Sequence, residues 1–357
     1  MSKYSTVIGI DLGDRYNHYC MMSQQDGAIV SDGRVKCTED DMRTFFSGQK
    51  PALVAIEAGT HSPWVSRLAE EAGHEVIVAN PRKVRAIYDN ERKCDKIDAE
   101  MLARIARMDP ELLKPVKHRG KQAQADLAVL RTRDAAVATR TKLINHIRGT
   151  VKSFGARLPK CGAEAFHKQT LEAIPVELLP ALKPLYLLVE QLTQIINDYE
   201  HYCERRIEEE YAETDVLKTA PGVGTITGLA YILTLEHPDR FKNSRSVAPF
   251  VGFVPRRDQS GDTDRSGRIS KTGDAFLRRL LVGSAQYILG PFGKPSQLRD
   301  WGLKLASSGG KYAKRRAVVA VARKLAIILH RLWSTGMVWE DYPGNKTEDT
   351  LAAQVSP

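Results

Sequence analysis

Four carboxylates stand where phosphoryl-transfer chemistry could use them: Asp11, Glu57, Asp95 and Asp98. Asp11 closes the apolar run of "TVIGIDLGD", and Glu57 closes "PALVAIEAG". A charge at the end of a buried strand is costly unless something pairs with it. If the two strands are parallel neighbours, both side chains emerge at the same edge of a sheet, where ligand sites in open α/β sheets lie. In "KCDKIDAEMLAR", Asp95 and Asp98 are three apart and share one face of a helix's first turn. Acidic residues also favour a helix N-terminus for its dipole alone, so this pair by itself admits a purely structural reading. Together the four are hard oxygen donors that suit Mg²⁺ or Mn²⁺ and not zinc. Two such ions roughly 3.5–4 Å apart can stabilise both the attacking and the leaving oxygen of a phosphodiester displacement. Asp14 lies past the turn and Glu100 on another helix face, so both rank below the four. An ATPase phosphate loop also places an Asp in such a context. It needs a second Asp-Gly loop and a Gly-rich adenosine loop, and neither is found in the sequence.

A second group lies in "VGFVPRRDQSGDTDRSGRISKTGDAFLRRLL". Arg256, Arg257, Arg265, Arg268 and Lys271 crowd what reads as a loop from 256 to 274, with three serines among them. The bland reading is a solvated loop that binds phosphates nonspecifically. The sharper one makes a serine the nucleophile, with guanidinium groups stabilising a pentacoordinate phosphorane. Ser260 is the most apical candidate; Ser266 and Ser270 are its rivals, and spacing does not choose among them. "APGVGTITGLAYI" resembles a helix-hairpin-helix turn, in which Gly222 and Gly224 let the backbone approach a phosphate. It also reads as a plain tight turn between helices. From Trp301 to Arg331, a stretch that includes Arg315 and Arg316, there are eight Lys or Arg and no acid. A second basic run spans 130–160. With a net charge of +10 and a pI near 9.3, such one-sided runs favour binding to a phosphate backbone.

The elements that must position these residues follow from periodicity. Residues 1–112 alternate short apolar strands with helices and predict a mixed α/β sheet. Thr38 predicts an N-cap for "TEDDMRTFFSG", and Pro63 and Gly73 bracket a second helix. Residues 113–212 turn helical. Leu127, Leu130, Val137, Ile144, Ile147, Val151 and Phe154 outline one helix face, and Leu185, Leu188, Leu192, Ile195, Tyr199 and Tyr202 step as an a/d seam. Pro175, Pro180 and Pro184 are expected to keep that second helix from starting earlier. An antiparallel coiled coil and a simple bundle fit equally. Residues 213–343 form a third, mostly helical unit, in which Asp274 is expected to cap a helix, and 344–357 a polar, disordered tail.

The five cysteines are scattered, with no CxxC spacing, so neither a zinc site nor a disulfide framework is indicated. No apolar run approaches the ~18 residues of a membrane span. The first strand begins too early to leave room for a signal peptide. A cytoplasmic protein is the expectation.

In this combination and order, "IGIDLG", "AIEAG", "KCDKIDAEMLAR", "APGVG", "FVGFVPRRDQSG" and "GRISKTGDAFLRRLL" resemble the insertion-sequence-110 family of transposases. The resemblance covers nearly all of the chain. It implies an α/β RNase H-like (RuvC-like) N-terminal domain with a D-E-D-D tetrad at Asp11, Glu57, Asp95 and Asp98. It also implies a coiled-coil middle and a mostly α-helical C-terminal transposase domain with Ser260 as nucleophile. The carboxylates and the serine would then form one composite site assembled between protomers of a homodimer or homotetramer. Mg²⁺ (or Mn²⁺) is the implied cofactor. Donor and target DNA and a structured bridge RNA are the implied partners, with no membrane. Two readings stand beside it: a structure-selective metal-dependent nuclease that hydrolyses without a covalent intermediate, and a nucleic-acid-binding scaffold without catalysis.

Overall fold

The apolar runs become five strands, β1 (Thr6–Asp11), β2 (Tyr16–Ser23), β3 (Ile29–Lys36), β4 (Leu53–Glu57) and β5 (Glu75–Ala79), in the order β3-β2-β1-β4-β5. β1, β2 and β3 form an antiparallel meander, whereas β4 runs parallel to β1 and β5 parallel to β4. β1 and β4 are covered on both faces, which is why they read as continuous apolar runs and not as alternation. Helices α1 (Glu39–Ser47) and α2 (Ser62–Glu71) cover one face, where Ile8, Ile10, Val54 and Ile56 meet Met42, Phe46, Val65 and Leu68. Helix α3 (Asp95–Met108) covers the other, where Val7, Cys20, Leu53 and Ala55 meet Ala99, Leu102 and Ala103. Thr38 caps α1 as expected, accepting the Asp41 N–H at 3.3 Å. The computed structural model describes residues 3–84, 94–260 and 263–341, and the expected tail at 344–357 lies outside them.

The chain divides into two units, Met1–Gly120 and Lys121–Pro357. The second begins with two long helices, α4 (Lys121–Ser153) and α5 (Leu179–Glu210). They run antiparallel: Arg140 donates to Thr193 at 3.2 Å, Arg133 to Glu200 at 3.0 Å and Tyr202 to Asp126 at 3.0 Å. Asp126 is fully buried, and burial alone would raise its pKa. Hydrogen bonds from Tyr211, Gln122, Arg206 and Tyr202 outweigh that and hold its carboxyl below the usual value.

Three details of this region correct the sequence reading. The stripe of α5 that packs inward is Leu182, Tyr186, Val189, Thr193, Ile196, Cys203 and Ile207. It lies one position from the expected seam, of which Leu188 and Ile195 are 46% and 42% exposed. Both stripes have a/d spacing, so periodicity alone does not choose between them. Helix α5 also starts at Leu179, with Pro180 in its first turn and Pro184 inside it. Pro180 takes a first-turn position whose N–H has no helical partner, whereas Pro184 costs the helix one bond, to the Pro180 carbonyl. Phe154, expected on the α4 face, lies past the helix end and is exposed.

The remaining long helices are α6 (Thr225–Leu235), α7 (Ala275–Leu289), α8 (Gln297–Ala306) and α9 (Ala313–Thr335). They pack around α6, which is buried from Thr227 to Leu235 and whose Tyr231 hydroxyl donates to the Ala326 carbonyl at 2.7 Å. Asp274 caps α7 through the Leu277 N–H at 2.9 Å. The serine segment is not a loop. It is a two-stranded antiparallel ribbon, β6 (Pro255–Ser260) and β7 (Thr263–Ile269). Its polar, glycine-containing sequence reads as a loop because a ribbon exposed on both sides has no apolar face to alternate. Gly252 and Gly273 hold its base at φ +82° and +79°; a Cβ on Gly273 would lie 1.9 Å from the Phe250 carbonyl oxygen. Among the described residues no helix is long and apolar enough to cross a membrane.

Candidate active site

Alternation along β1 places Val7, Gly9 and Asp11 on the face that α3 covers, and alternation along β4 places Leu53, Ala55 and Glu57 there too. Because β1 and β4 are parallel, with Ile10 opposite Ile56, Asp11 and Glu57 end their strands at the same edge. Asp95 and Asp98 occupy the first turn of α3. Gly9 brings that turn close. A Cβ at Gly9 would lie 2.1 Å from the Ala99 carbonyl oxygen and 2.5 Å from the Ala103 nitrogen, so only glycine lets α3 cross β1 at this distance. Ala99 follows Asp98 directly, and Asp11 lies two residues beyond Gly9. The close crossing therefore delivers the helical carboxylates to the strand-end ones.

The electrostatics register this convergence. Asp11 is half-buried, and burial is the largest cause pushing its pKa up to about 6. The negative charges of Asp95, Asp98 and Glu57 push in the same direction, and His18 partly offsets them. Each of the other three candidates is thus felt at Asp11. Among the described residues no group of three or more His, Cys, Asp or Glu side chains is arranged to hold a metal ion. The donor set still suits a divalent cation: four hard carboxylates sharing a partly dehydrated edge repel one another, and a cation relieves that repulsion.

Two polar residues shape the edge. Asn17, fully buried, accepts the Gly13 N–H at 3.2 Å and so fixes the turn after Asp11. His61 bridges the loops that follow β1 and β4. Its Nδ1 accepts the Trp64 indole N–H at 3.2 Å, and its Nε2 faces Asp14 at 3.4 Å. His18 is not among the residues that the sequence singles out. On β2 it pairs with Asp11, and its Nδ1 stands 3.7 Å from an Asp95 oxygen. The only sequence signal for it is hairpin register, since a tight β1–β2 turn sets His18 opposite Asp11.

The second group of candidates lies in the other unit. Ser260 ends β6 and pairs with Thr263 at the distal end of the ribbon. Ser266 pairs with Arg257 within it, and the Ser270 N–H donates to the Val254 carbonyl at its base. The Arg257 guanidinium grips Asp264 with two hydrogen bonds, at 2.8 and 2.6 Å. Arg256, Arg265, Arg268 and Lys271 are exposed along or beside the ribbon, and Lys271 has a left-handed backbone at φ +55°. Gly222 sits at φ +72°, where a Cβ would meet the Ser284 carbonyl at 2.9 Å, and Gly224 opens α6 with no side-chain cap. Around that turn lies a cavity of about 600 Å³, lined by Lys218, Lys294, Tyr287 and Trp339 among others. Arg315 and Arg316 are exposed in the first turn of α9, beside the exposed Tyr312 ring.

Comparison with known proteins bears on the chain's family. A family model for DEDD transposases of the IS110 type matches residues 8–155, and a model for the transposase IS116/IS110/IS902 family matches residues 214–297. The chain is 29% identical to a transposase for insertion sequence element IS1328 from Yersinia enterocolitica, over 94% of this chain and 98% of that one. It is 27% identical to a transposase for insertion sequence element IS1111A from Coxiella burnetii, over 91% and 89%. Among solved structures, T. thermophilus RuvC in complex with a Holliday junction substrate aligns over 30% of this chain and 98% of that one. Its identity is 17% and its TM-score 0.23, too low to carry an argument. The chain belongs to the IS110 family of insertion-sequence transposases.

Proposed function

We propose that this transposase cuts, exchanges and rejoins DNA strands through a covalent phosphoserine intermediate formed by Ser260. The observation that carries the reading is the gathering of Asp11, Glu57, Asp95 and Asp98 from three elements at one sheet edge, where burial first and then the other three charges raise the Asp11 pKa. In this reading the first unit is RNase H-like, and the four carboxylates hold Mg²⁺ or Mn²⁺. A bound divalent ion would polarise the scissile phosphate.

The protein's own groups do the rest. The Ser260 oxygen gives up its proton and bonds to phosphorus, while the sugar oxygen leaves and takes up a proton. The phosphoserine link conserves the bond for rejoining, when a strand hydroxyl attacks and releases the serine. Arg256, Arg265, Arg268 and Lys271 hold the phosphate as charge builds on it. Gly222, Gly224, Arg315 and Arg316 bind nucleic-acid backbone. The serine and the carboxylates meet in an assembly of protomers on DNA, with α4 and α5 as a coiled coil. A structured bridge RNA belongs to the same proposal; the exposed cations and the family resemblance support it.

Incubation with DNA carrying the element's ends, followed by denaturation and protease digestion, tests the mechanism. Wild type should leave a DNA–peptide adduct. Ser260→Ala should leave none, and Asp11→Asn should retain DNA while losing Mg²⁺-dependent cleavage. An adduct persisting in Ser260→Ala moves the nucleophile to Ser266 or Ser270. Cleavage by wild type with no adduct at any stage is the outcome for simple hydrolysis.

A further inference from the structure

We propose that His18 is a nitrogen ligand of the divalent ion, making the site a mixed nitrogen–oxygen site that favours Mn²⁺ over Mg²⁺. The inference rests on the reading of the four carboxylates as a metal site and adds a fifth donor of a different kind. Paired residues in an antiparallel ladder lie side by side on one face of the sheet, so the Asp11–His18 pairing sets the imidazole next to the most perturbed carboxylate. The His18 Nδ1 stands 3.7 Å from the Asp95 oxygen, too long for a hydrogen bond. Adjacent donors on one octahedral ion stand about 3 Å apart, so the imidazole and the carboxylate need to close by less than about 1 Å to share an ion.

Among the described residues, two nearby cations are engaged elsewhere. Lys96, next to Asp95 on α3, is bonded to Asp32 at 2.6 Å. Arg34, the register partner of His18 on β3, lies over the Tyr16 ring at 4.7 Å. At 31% side-chain exposure, His18 is open to an incoming ion yet anchored in a strand. Mg²⁺ takes oxygen donors and keeps its waters, whereas Mn²⁺, although the weakest imidazole binder of the first-row series, accepts a nitrogen more readily, so a nitrogen donor here tilts the choice between these two ions toward Mn²⁺.

Mn²⁺ alone, added to the full-length protein, is the probe. Pulsed electron paramagnetic resonance should show ¹⁴N coupling to bound Mn²⁺ in wild type, and the coupling should convert to ¹⁵N in protein labelled with ¹⁵N-histidine. His18→Gln should lose the coupling and bind Mn²⁺ about tenfold more weakly or worse. Its Mg²⁺ affinity, read by competition, should change less. The labelled wild type keeps the test valid if the variant fails to fold. Mn²⁺ that binds wild type and is lost in Asp11→Asn, but shows no nitrogen coupling or keeps it in His18→Gln, overturns the proposal and leaves the carboxylate site standing. Equal Mn²⁺ binding by wild type and Asp11→Asn overturns the carboxylate reading, and this inference with it.

Discussion

Asp11 is the residue on which the chemistry turns, and its pKa of about 6 has a thermodynamic consequence. An unfolded Asp titrates near 3.9. Between that value and about 6 the folded protein holds a proton that the unfolded chain has released, so stability from this group falls as pH rises through the window. Above it, the metal-free protein bears the full cost of the ionised cluster. Asp11→Asn should therefore melt higher than wild type at pH 7.5 in chelator. The gain is on the order of 1 kcal/mol, because solvent at the open edge screens the rest. The two should converge below pH 4, and adding Mg²⁺ or Mn²⁺ should stabilise wild type only. Thermal melts across pH, with and without metal, check this; an Asn variant that melts lower at pH 7.5 contradicts it. Asp11, Glu57, Asp95 and Asp98 are all legible in the sequence, because strand ends and a helix start are marked by local patterns. His18 is not, because nothing local says which residue of β2 stands opposite Asp11.

At the scale of elements, two packing choices decide the architecture. The first is Gly9 under α3. Gly9→Ala should force the helix outward, cost about 1–3 kcal/mol by overpacking and weaken metal binding together with stability. Metal titration beside a denaturant melt would show both effects; unchanged metal affinity would mean that the approach of α3 does not set the site. The second is the choice of stripe on α5. Leu182→Ala should cost about 2–5 kcal/mol, since Leu182 is buried against its neighbours. Leu188→Ala and Ile195→Ala should each change monomer stability by no more than about 0.5 kcal/mol. Comparable destabilisation at all three positions would restore the seam expected from the sequence. That seam is misplaced by one position because α5 carries apolar residues at two adjacent heptad phases. The serine ribbon escapes the sequence reading for a related reason: with no buried side, its strands have no hydrophobic pattern.

For the whole molecule, charge is the feature that no single element explains. Lys314, Arg315 and Arg316 fill the first turn of α9 with no acid among them. Positive charge at a helix N-terminus opposes the helix dipole, so folding does not account for these residues, and a polyanion does. Retention of DNA should fall steeply with salt. Replacing both Arg315 and Arg316 by Ala should flatten the slope of log affinity against log salt by about one for each phosphate that these side chains neutralise. Filter binding at several salt concentrations measures this, and an unchanged slope would place the nucleic acid elsewhere.

The sequence by itself determined the alternating α/β unit, the helical remainder, the caps at Thr38 and Asp274, and the four carboxylates, because each of these is written in spacings of a few residues. Only the tertiary structure decided what those residues meet. Burial and three neighbouring charges raise the Asp11 pKa, Gly9 sets how near α3 lies, register brings His18 to the site, and packing selects one of two heptad stripes. Each of these depends on residues far apart in the chain, whose proximity is a property of the folded core and has no local signature.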